Sequence, residues 1–256
     1  MVNIILSGAN GKMGQVITRL AAESDDVEIV SGVDINDSIK NSYPVYKSVF
    51  EVTQSADVII DFSHPMCLEP LLDYACEKKI PAVIATTGLS DNQKKLIKKA
   101  SEHTAVFFSA NMSLGINLIT DLAKRAAKLL EDDFDIEIVE RHHRQKIDAP
   151  SGTALAIADE ISDVLSQMPV YIYDRHSQRK KRGKAEIGLH SVRGGTIVGD
   201  HEIIFAGTDE VIEISHHAAS KEVFAVGAIR AAKFLYEKKN KNANGLYNMN
   251  DLISSL

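Results

Sequence analysis

Short apolar runs alternate with segments of helical spacing over the first hundred residues of the chain. The apolar runs predict buried strands at Val2–Ser7, Val27–Val33, Asp57–Phe62, Pro81–Ala85 and Ala105–Ser109. Helices are predicted between them at Lys12–Glu23, from Pro65 to about Lys79, and at Asp91–Ala100 with Ser90 as its cap. This alternation predicts a parallel sheet with helices on both faces.

The pattern changes after Asn111, where we place a domain boundary. Two helices and a strand are predicted next, at about Gly115–Leu130, at Asp135–His143 and from Ser151 onward. Three β-like stretches with short Gly and Asp links favour an antiparallel, open-faced sheet: Ala185–Arg193, Thr196–Phe205 and Glu210–His216. An apolar helix, Val223–Lys239, follows Ser220. The fold class is therefore α/β, a parallel-sheet domain plus an α+β domain with an open mixed or antiparallel sheet.

Composition favours a cytoplasmic protein. The 256 residues are 45% hydrophobic and 25% charged, which suits one large globular domain or two modest ones. No apolar run approaches the roughly 20 residues of a membrane span, and Met1–Ile4 lack the basic start of a signal peptide. Two cysteines, Cys67 and Cys76, imply no disulfide framework.

The net charge of −6 argues against nucleic acid as a partner. One basic run, Arg175–Lys184, favours a solvated or substrate-facing loop, and a nucleic-acid patch is the alternative.

The glycine loop Gly8–Gly14 lies where the first predicted strand turns into the first helix. Glycines let the backbone turn tightly and approach a ligand, and the helix N-terminus offers amides to a pyrophosphate. The loop lacks the Gly-Lys-Ser/Thr ending of a P-loop, while Lys12 adds a charge. We therefore predict a dinucleotide site here, with a ligand-free glycine turn as the alternative.

Asp34 ends the second predicted strand at the position where a carboxylate binds the ribose hydroxyls of a dinucleotide. Ile35 follows it instead of an arginine, and a bare carboxylate repels a 2′-phosphate, so the sequence favours NADH over NADPH. Lys12 leaves use of both cofactors open. Two further strand ends, Thr86–Gly88 and Ser109–Met112, either line the cofactor crevice or are ordinary loops.

The segment Glu140–Thr153 carries the densest chemistry in the chain. His142 shares a strand face with the isoleucines before it, and His143 points the other way if the strand persists. A histidine can donate a proton near neutral pH, and Lys146 supplies a fixed positive charge. Free amides are expected at the helix start formed by Ser151, Gly152 and Thr153, which predicts binding of an acidic small molecule.

Two other interpretations of this segment remain. One is a solvated basic turn followed by a capped helix. The other is a metal site, which is disfavoured because adjacent histidines point apart and no thiol accompanies them. No metal is therefore predicted.

Together these motifs resemble the 4-hydroxy-tetrahydrodipicolinate reductase (dihydrodipicolinate reductase) family. The resemblance covers essentially the whole chain and is carried by Gly8–Gly14, Thr86–Gly88, Ser109–Ser113 and above all Glu140–Ala154. It implies a Rossmann-type dinucleotide-binding domain at 1–111 and 220–256, and a substrate-binding and oligomerisation domain at 112–219 that builds a homotetramer. The family reaction passes hydride from NADH or NADPH to C4 of an unsaturated cyclic dicarboxylate, giving tetrahydrodipicolinate for lysine biosynthesis through diaminopimelate.

The resemblance also implies residue roles. His142 is the acid/base residue and Lys146 the proton donor, while His143, Gly152 and Thr153 hold the substrate carboxylates. The cofactor contacts are Gly8, Ala9, Asn10, Gly11, Lys12, Met13, Asp34, Ala85, Thr86, Thr87, Ser109, Ala110, Asn111 and Met112. The chain departs from the family pattern at Ile35, where members that accept NADPH have arginine, and at Met112, where some have phenylalanine.

Two alternative functions carry less support. A nicotinamide dehydrogenase acting on an amino-acid semialdehyde would need a reactive cysteine in the cofactor crevice, and none is predicted there. A non-catalytic dinucleotide sensor would have no need of the proton-donating pair His142 and Lys146.

Overall fold

The computed structural model describes residues 1–109 and 111–255. The chain forms two compact units, one of Met1–Leu114 with Glu222–Leu256 and the other of Gly115–Lys221. In chain order the strands are β1 (Val2–Ser7), β2 (Val27–Val33), β3 (Val45–Tyr46), β4 (Val58–Asp61), β5 (Ala82–Ile84), β6 (Ala105–Phe108), β7 (Asp135–His142), β8 (Val170–Ile172), β9 (Glu186–Arg193), β10 (Gly199–Ala206), β11 (Val211–Ala218) and β12 (Gly245–Tyr247).

The α-helices follow the same order along the chain. They are α1 (Lys12–Ala22), α2 (Leu68–Lys78), α3 (Asp91–Ala100), α4 (Leu114–Leu130), α5 (Gly152–Ser162), α6 (Glu222–Asn240) and α7 (Met249–Ile253). Short 3-10 turns at Val49–Glu51 and Pro65–Cys67 complete the set. Within the described residues, no helix is long and apolar enough to cross a membrane.

The first unit is built on a seven-stranded sheet of order β12-β6-β5-β4-β1-β2-β3, in which every pairing is parallel. Successive residues of β1 point to opposite faces. Leu6 packs in the core that includes residues of α1 and α6, and Ile5 packs in the core that includes residues of α2 and α3. Because both faces are covered, the strands are continuously apolar, and the predicted parallel sheet with helices on both sides is confirmed.

Three elements of this unit are absent from the sequence-based prediction. Strands β3 and β12 have two and three residues, too few to show a period. Helix α7 is a five-residue element that begins with a capping box at Asn248 and Asp251. Both strands lie at the edges of the sheet, where pairing on one side alone is enough to order them.

The second unit contains a five-stranded mixed sheet of order β11-β10-β7-β9-β8. Strand β7 runs parallel to β9 and antiparallel to β10, which is also antiparallel to β11. The expected open mixed or antiparallel sheet is confirmed, but the consecutive strands β9 and β10 are not antiparallel neighbours, since β7 lies between them. The short glycine link predicted a hairpin, but apolar periodicity specifies strands and faces without specifying their neighbours.

One face of this mixed sheet packs against α4 and α5. Ile138, Ile203 and Phe205 are fully buried there with Ala123 and Ile161 from the two helices. Along β7 the buried positions alternate with partly exposed ones. His142 continues the buried series, so the strand delivers this histidine to the helix-covered face of the sheet.

Candidate functional site

The glycine loop has a backbone that tolerates no side chain at two positions. Gly8 has φ +79°, and a Cβ there would lie 2.6 Å from the carbonyl oxygen of Phe62. A Cβ on Gly14 would lie 2.2 Å from the carbonyl oxygen of Gly8. Gly11 is the N-cap of α1 and, within the described part of the chain, no side chain caps this helix start. The loop therefore brings backbone close to a helix N-terminus, which is the arrangement that accommodates a pyrophosphate.

Asp34 follows directly on β2 and faces this loop. Its Oδ2 accepts a hydrogen bond of 2.9 Å from the Asn10 backbone N–H, and its Oδ1 accepts one of 2.9 Å from the Asn36 N–H. The Asn10 side chain in turn accepts a hydrogen bond of 2.7 Å from the Asn41 amide. These contacts fix the carboxylate at the mouth of the glycine loop.

A cavity of about 430 Å³ lies beside the loop, lined by Gly8, Gly11, Asp34 and Ile35. Its wall also includes residues that the sequence pattern did not single out: Lys47, Ser48, His64 and Met66. Lys47 and Ser48 come directly after β3, the two-residue strand that had no recognisable period. The Ile35 side chain lines this cavity with 83% of its surface accessible.

Asp61 ends β4 as a fully buried carboxylate. It accepts hydrogen bonds from the hydroxyls of Thr86, at 2.6 Å, and Ser63, at 2.5 Å. Thr86 is thereby held at the carboxyl edge of the sheet, as the sequence predicts, whereas Asp61 was missed. The available signal was its place at a strand end, where carboxylates of open α/β sheets face ligands or hold the residues that do.

The remaining predicted cofactor positions lie near the ends of β5 and β6. Ala85 and Met112 are buried, and Thr87 is exposed. The Ser109 hydroxyl donates a hydrogen bond of 2.9 Å to the carbonyl of Asn111. Ala110 lies outside the described residues.

In the second unit, β7 ends at His142, so His143 does not continue the strand as expected. His142 is 8% exposed and Glu140 is fully buried on the same face. Nδ1 of His142 lies 2.6 Å from Oε2 of Glu140. The structure thus pairs the candidate acid/base residue with a carboxylate that the sequence did not assign to it.

Glu140 also receives both terminal nitrogens of Arg193, at 2.7 and 2.6 Å. Burial raises the pKa of the Glu140 carboxyl, but hydrogen bonds from Arg193, His142 and Ser191 outweigh burial and lower that pKa to about 2. The carboxylate is therefore ionised at neutral pH and acts as an acceptor only.

Lys146 lies in the loop after β7, with its Nζ 2.9 Å from Oδ1 of Asp148. The hydrogen bond from Lys146 is the largest cause of a lowered pKa at the Asp148 carboxyl, and the Gly152 N–H contributes to the same shift. Arg193 donates a further hydrogen bond of 2.6 Å to the Asp148 carbonyl. Loop and strand are therefore tied together through one arginine.

Helix α5 begins at Gly152 with Ser151 as its N-cap, whose Oγ accepts a hydrogen bond of 3.1 Å from the Ala154 N–H. The expectation that Ser151 offers a free amide is wrong, because its N–H donates to Oε1 of Glu140 across 3.1 Å. The Ser151 amide, which the sequence analysis assigned to a ligand, is therefore bound to the buried Glu140 carboxylate. An added Cβ on Gly152 would meet no atom within 4 Å, so backbone is open to approach at this position.

His201 on β10 is a buried residue whose role the sequence left ambiguous. Its Nε2 lies 3.1 Å from Oγ of Ser151, and its ring stands edge-on to that of His142 with centroids 5.3 Å apart. Burial, and then the charge of His142, lower the pKa of His201 to about 4. This histidine is therefore neutral at physiological pH.

The basic run after β8 is tied to acidic residues of its own unit. Arg175 pairs with Glu137 and Glu186, and Arg182 pairs with Asp135 and Glu137. These ion pairs use two of its cations within the fold. Among residues 1–109 and 111–255, no group of three or more His, Cys, Asp or Glu side chains is arranged to hold a metal.

Two family models together match almost the whole chain. The family model for the dihydrodipicolinate reductase N-terminus matches residues 2–112, and the model for the dihydrodipicolinate reductase C-terminus matches residues 115–253. The chain belongs to the dihydrodipicolinate reductase family. The resemblance inferred from the glycine loop and the Glu140–Ala154 segment is thereby confirmed.

Relatives of this dihydrodipicolinate reductase family member match over nearly their full length. A 4-hydroxy-tetrahydrodipicolinate reductase of Caldanaerobacter subterraneus subsp. tengcongensis is 53% identical, covering 99% of this chain and 98% of the relative. The enzyme of the same name from Staphylococcus saprophyticus is 47% identical, covering 98% and 100%. The dipicolinate-bound dihydrodipicolinate reductase from Paenisporosarcina sp. TG-14 superposes with a TM-score of 0.80 at 25% identity, covering 97% of each chain.

Proposed function

We propose that this protein is a 4-hydroxy-tetrahydrodipicolinate reductase, an NAD(P)H-dependent oxidoreductase of lysine biosynthesis through diaminopimelate. Hydride passes from the nicotinamide to C4 of a cyclic unsaturated dicarboxylate, and tetrahydrodipicolinate is the product. The observation that carries this proposal is the 53% identity, over 99% of the chain, to a relative of that name. A structural relative with dipicolinate bound supports a dicarboxylate as the substrate class.

The residues of the glycine loop fit a dinucleotide. A Cβ at Gly8 or Gly14 would collide with backbone, so the space that these glycines keep open lies against the N-terminus of α1. We assign the pyrophosphate to residues 8–13 and the adenosine ribose to Asp34. Thr86, Thr87 and the Ser109–Met112 segment are assigned to the nicotinamide half, which supplies the hydride when the cofactor is bound.

NADH is proposed as the preferred cofactor. Both oxygens of Asp34 accept backbone N–H groups, so the carboxylate is fixed in position where a 2′-phosphate would approach. Ile35 offers no positive charge beside it. The Asp34 carboxylate would repel the 2′-phosphate of NADPH, whereas the ribose hydroxyls of NADH can donate hydrogen bonds to it.

In the second unit we assign acid/base chemistry to His142 and proton donation to Lys146. His143, Gly152 and Thr153 are assigned to the substrate carboxylates. A dianionic substrate needs positive charge, which Lys146 supplies, and the N-terminal end of α5 carries the positive end of the helix dipole. The contact of Asp148 with Lys146 supports this assignment, because it shows a carboxylate already bound by the lysine.

A homotetramer is proposed to form through the mixed sheet. The face opposite α4 and α5 carries Glu137, Arg141 and Glu202 at partly exposed positions. Analytical ultracentrifugation of the full chain tests this assignment. A single species at the mass of a monomer would exclude it.

The activity is tested by following NADH oxidation with substrate generated in situ from pyruvate and aspartate semialdehyde. Turnover that depends on both precursors is the expected result. Tight NADH binding without turnover would instead favour the non-catalytic sensor. A His142→Asn variant serves as the internal control, since it should bind NADH and lose most of its turnover.

A further inference from the structure

The buried carboxylate of Glu140 accepts hydrogen bonds from four N–H groups and from the hydroxyl of Ser191. That hydroxyl can donate or accept, so it serves a carboxylate and an amide equally. Oε2 accepts hydrogen bonds from Nδ1 of His142 at 2.6 Å and from Nη1 of Arg193 at 2.7 Å. Oε1 accepts hydrogen bonds from Nη2 of Arg193 at 2.6 Å and from the backbone N–H of Ser151 at 3.1 Å. Because an ionised carboxylate can only accept, the proton between Glu140 and His142 belongs to Nδ1 of the histidine.

The other ring nitrogen of His142 faces a different environment. Gly199 on β10 lies beside Nε2, and a Cβ added to this glycine would come within 3.0 Å of that nitrogen. The absence of a side chain at Gly199 leaves room next to Nε2. If the His142 proton is on Nδ1, the unprotonated nitrogen is Nε2, which lies on the side of Gly199.

We propose that Glu140 is a positioning residue that fixes His142 in the Nδ1–H tautomer, so that Nε2 is the atom that exchanges a proton with the substrate. This inference rests on the proposed acid/base role of His142. Arg193 is the second part of the device, since it holds the carboxylate with two hydrogen bonds and donates a third to the loop that carries Lys146.

The choice of glutamate over glutamine follows from the donors. An amide has one oxygen, which must serve either the Oε1 or the Oε2 position. At the Oε2 position it would leave its NH₂ against Arg193 Nη2 and the Ser151 N–H, neither of which can accept. At the Oε1 position its NH₂ would face Arg193 Nη1 and His142 Nδ1, and the histidine can respond by moving its proton to Nε2. Glutamine is therefore expected to invert the tautomer.

Other charged groups from neighbouring elements lie around the pair. Arg193 comes from β9, His201 stands edge-on to His142 from β10, and the Lys146–Asp148 pair lies in the following loop. His201 Nε2 is directed to Ser151 Oγ. Glu140 lies within hydrogen-bonding distance of Nδ1 of His142.

The test is the nitrogen NMR spectrum of the full-length protein labelled at histidine, with His142 assigned through His142→Asn. In the wild-type protein the neutral ring is expected to carry its proton on Nδ1. In Glu140→Gln the proton moves to Nε2, and kcat falls about a hundredfold, the lower end of what general acid–base catalysis contributes. The Kd for NADH stays within about twofold of the wild-type value, since its proposed site lies in the other unit.

Two control variants separate positioning from loss of stability. Glu160→Gln changes a carboxylate of α5, which pairs with Lys124 of α4, and should leave the His142 tautomer and kcat unchanged. Arg193→Met breaks the same ion pair as Glu140→Gln but leaves the carboxylate beside Nδ1. Arg193→Met should keep the Nδ1–H signal even if its melting temperature falls as far as that of Glu140→Gln.

A neutral wild-type ring protonated on Nε2 overturns the proposal, and that measurement does not depend on Glu140→Gln folding. Unchanged tautomer and kcat in a folded Glu140→Gln protein also overturn it. The spectra require no turnover, so an inactive wild-type protein would remove the proposed reductase function while leaving the tautomer result standing.

Discussion

The backbone N–H of Asn10 donates to the carboxylate of Asp34 across 2.9 Å. This contact joins the glycine loop after β1 to the end of β2. The carboxylate proposed to bind the ribose therefore also holds the loop proposed to bind the pyrophosphate. Changes in cofactor preference should consequently be made beside Asp34 and not at it, because loss of the carboxylate would also release the loop.

Ile35→Arg is expected to raise the ratio of kcat/KM for NADPH to that for NADH by about tenfold. The side chain at position 35 is exposed and lines the cofactor cavity, so a guanidinium there can reach a 2′-phosphate while Asp34 keeps its backbone contacts. Tenfold corresponds to about 1.4 kcal/mol, which is close to the lower end for one hydrogen bond to a charged group. Initial rates with both cofactors measure it, with Ile35→Gln as the uncharged control. An equal gain in the glutamine variant would contradict the charge argument.

Lys146→Met should reduce kcat at least a hundredfold with little change in the Kd for NADH. The variant removes the proposed proton donor and a positive charge that already binds the Asp148 carboxylate. Stopped-flow rates and fluorescence titration of NADH give the two quantities. Lys181→Met, at an exposed lysine of the basic run, is the matched control and should keep normal turnover. Near-normal turnover in Lys146→Met would exclude the assigned role.

Gly152→Ala is expected to fold normally and to raise the KM for the dicarboxylate about tenfold. No atom lies within 4 Å of the added methyl, so the native fold is not strained, and the methyl stands in the open space by which a carboxylate would reach the start of α5. Melting temperature and steady-state kinetics separate the two effects. Gly194→Ala adds a methyl to another open position and should change neither. A fall in melting temperature without a change in KM would point to a structural role alone.

Stability should fall as pH drops from about 6.5 toward 4, and His201 should carry part of that loss. The pKa of this buried histidine is lowered to about 4. Between pH 6.5 and 4, His201 is therefore protonated in the unfolded chain but not in the folded chain. The shift corresponds to at most about 3 kcal/mol. Chemical denaturation across this range should show a flatter pH dependence for His201→Gln. His176→Gln, at an exposed histidine, should retain the wild-type slope.

Below pH 4.5 a different group takes over. The Glu140 carboxyl has a pKa lowered to about 2, so its contribution is present above pH 4.5 and is lost between 4.5 and 2. The two windows barely overlap, which allows the effect of His201 to be measured separately. A His201→Gln protein whose stability still falls as steeply between pH 6.5 and 4 would show that other groups control this range.

The sequence by itself determined the central strands and long helices of the first unit and the place of its glycine loop. Strands such as β4 and β5 are buried along their whole length and the helices on one face, so apolar runs and helical spacing identify them directly. The glycine loop, Asp34 and the Glu140–Ala154 segment were recognisable because their chemistry is contiguous or has a fixed spacing. Edge strand β3 was not recognisable, and with it Lys47 and Ser48 were missed.

Only the tertiary structure decided which strands of the mixed sheet are neighbours, and that decision created the proposed catalytic arrangement. Because β7 lies between β9 and β10, Glu140 meets Arg193, which lies 53 positions away in the sequence, and Ser151 meets His201, 50 positions away. A periodic pattern specifies which face of a strand is buried but carries no information about the side chains that another strand will bring to it. The carboxylate behind His142 and the neutral histidine beside it could therefore be found only once the sheet was assembled.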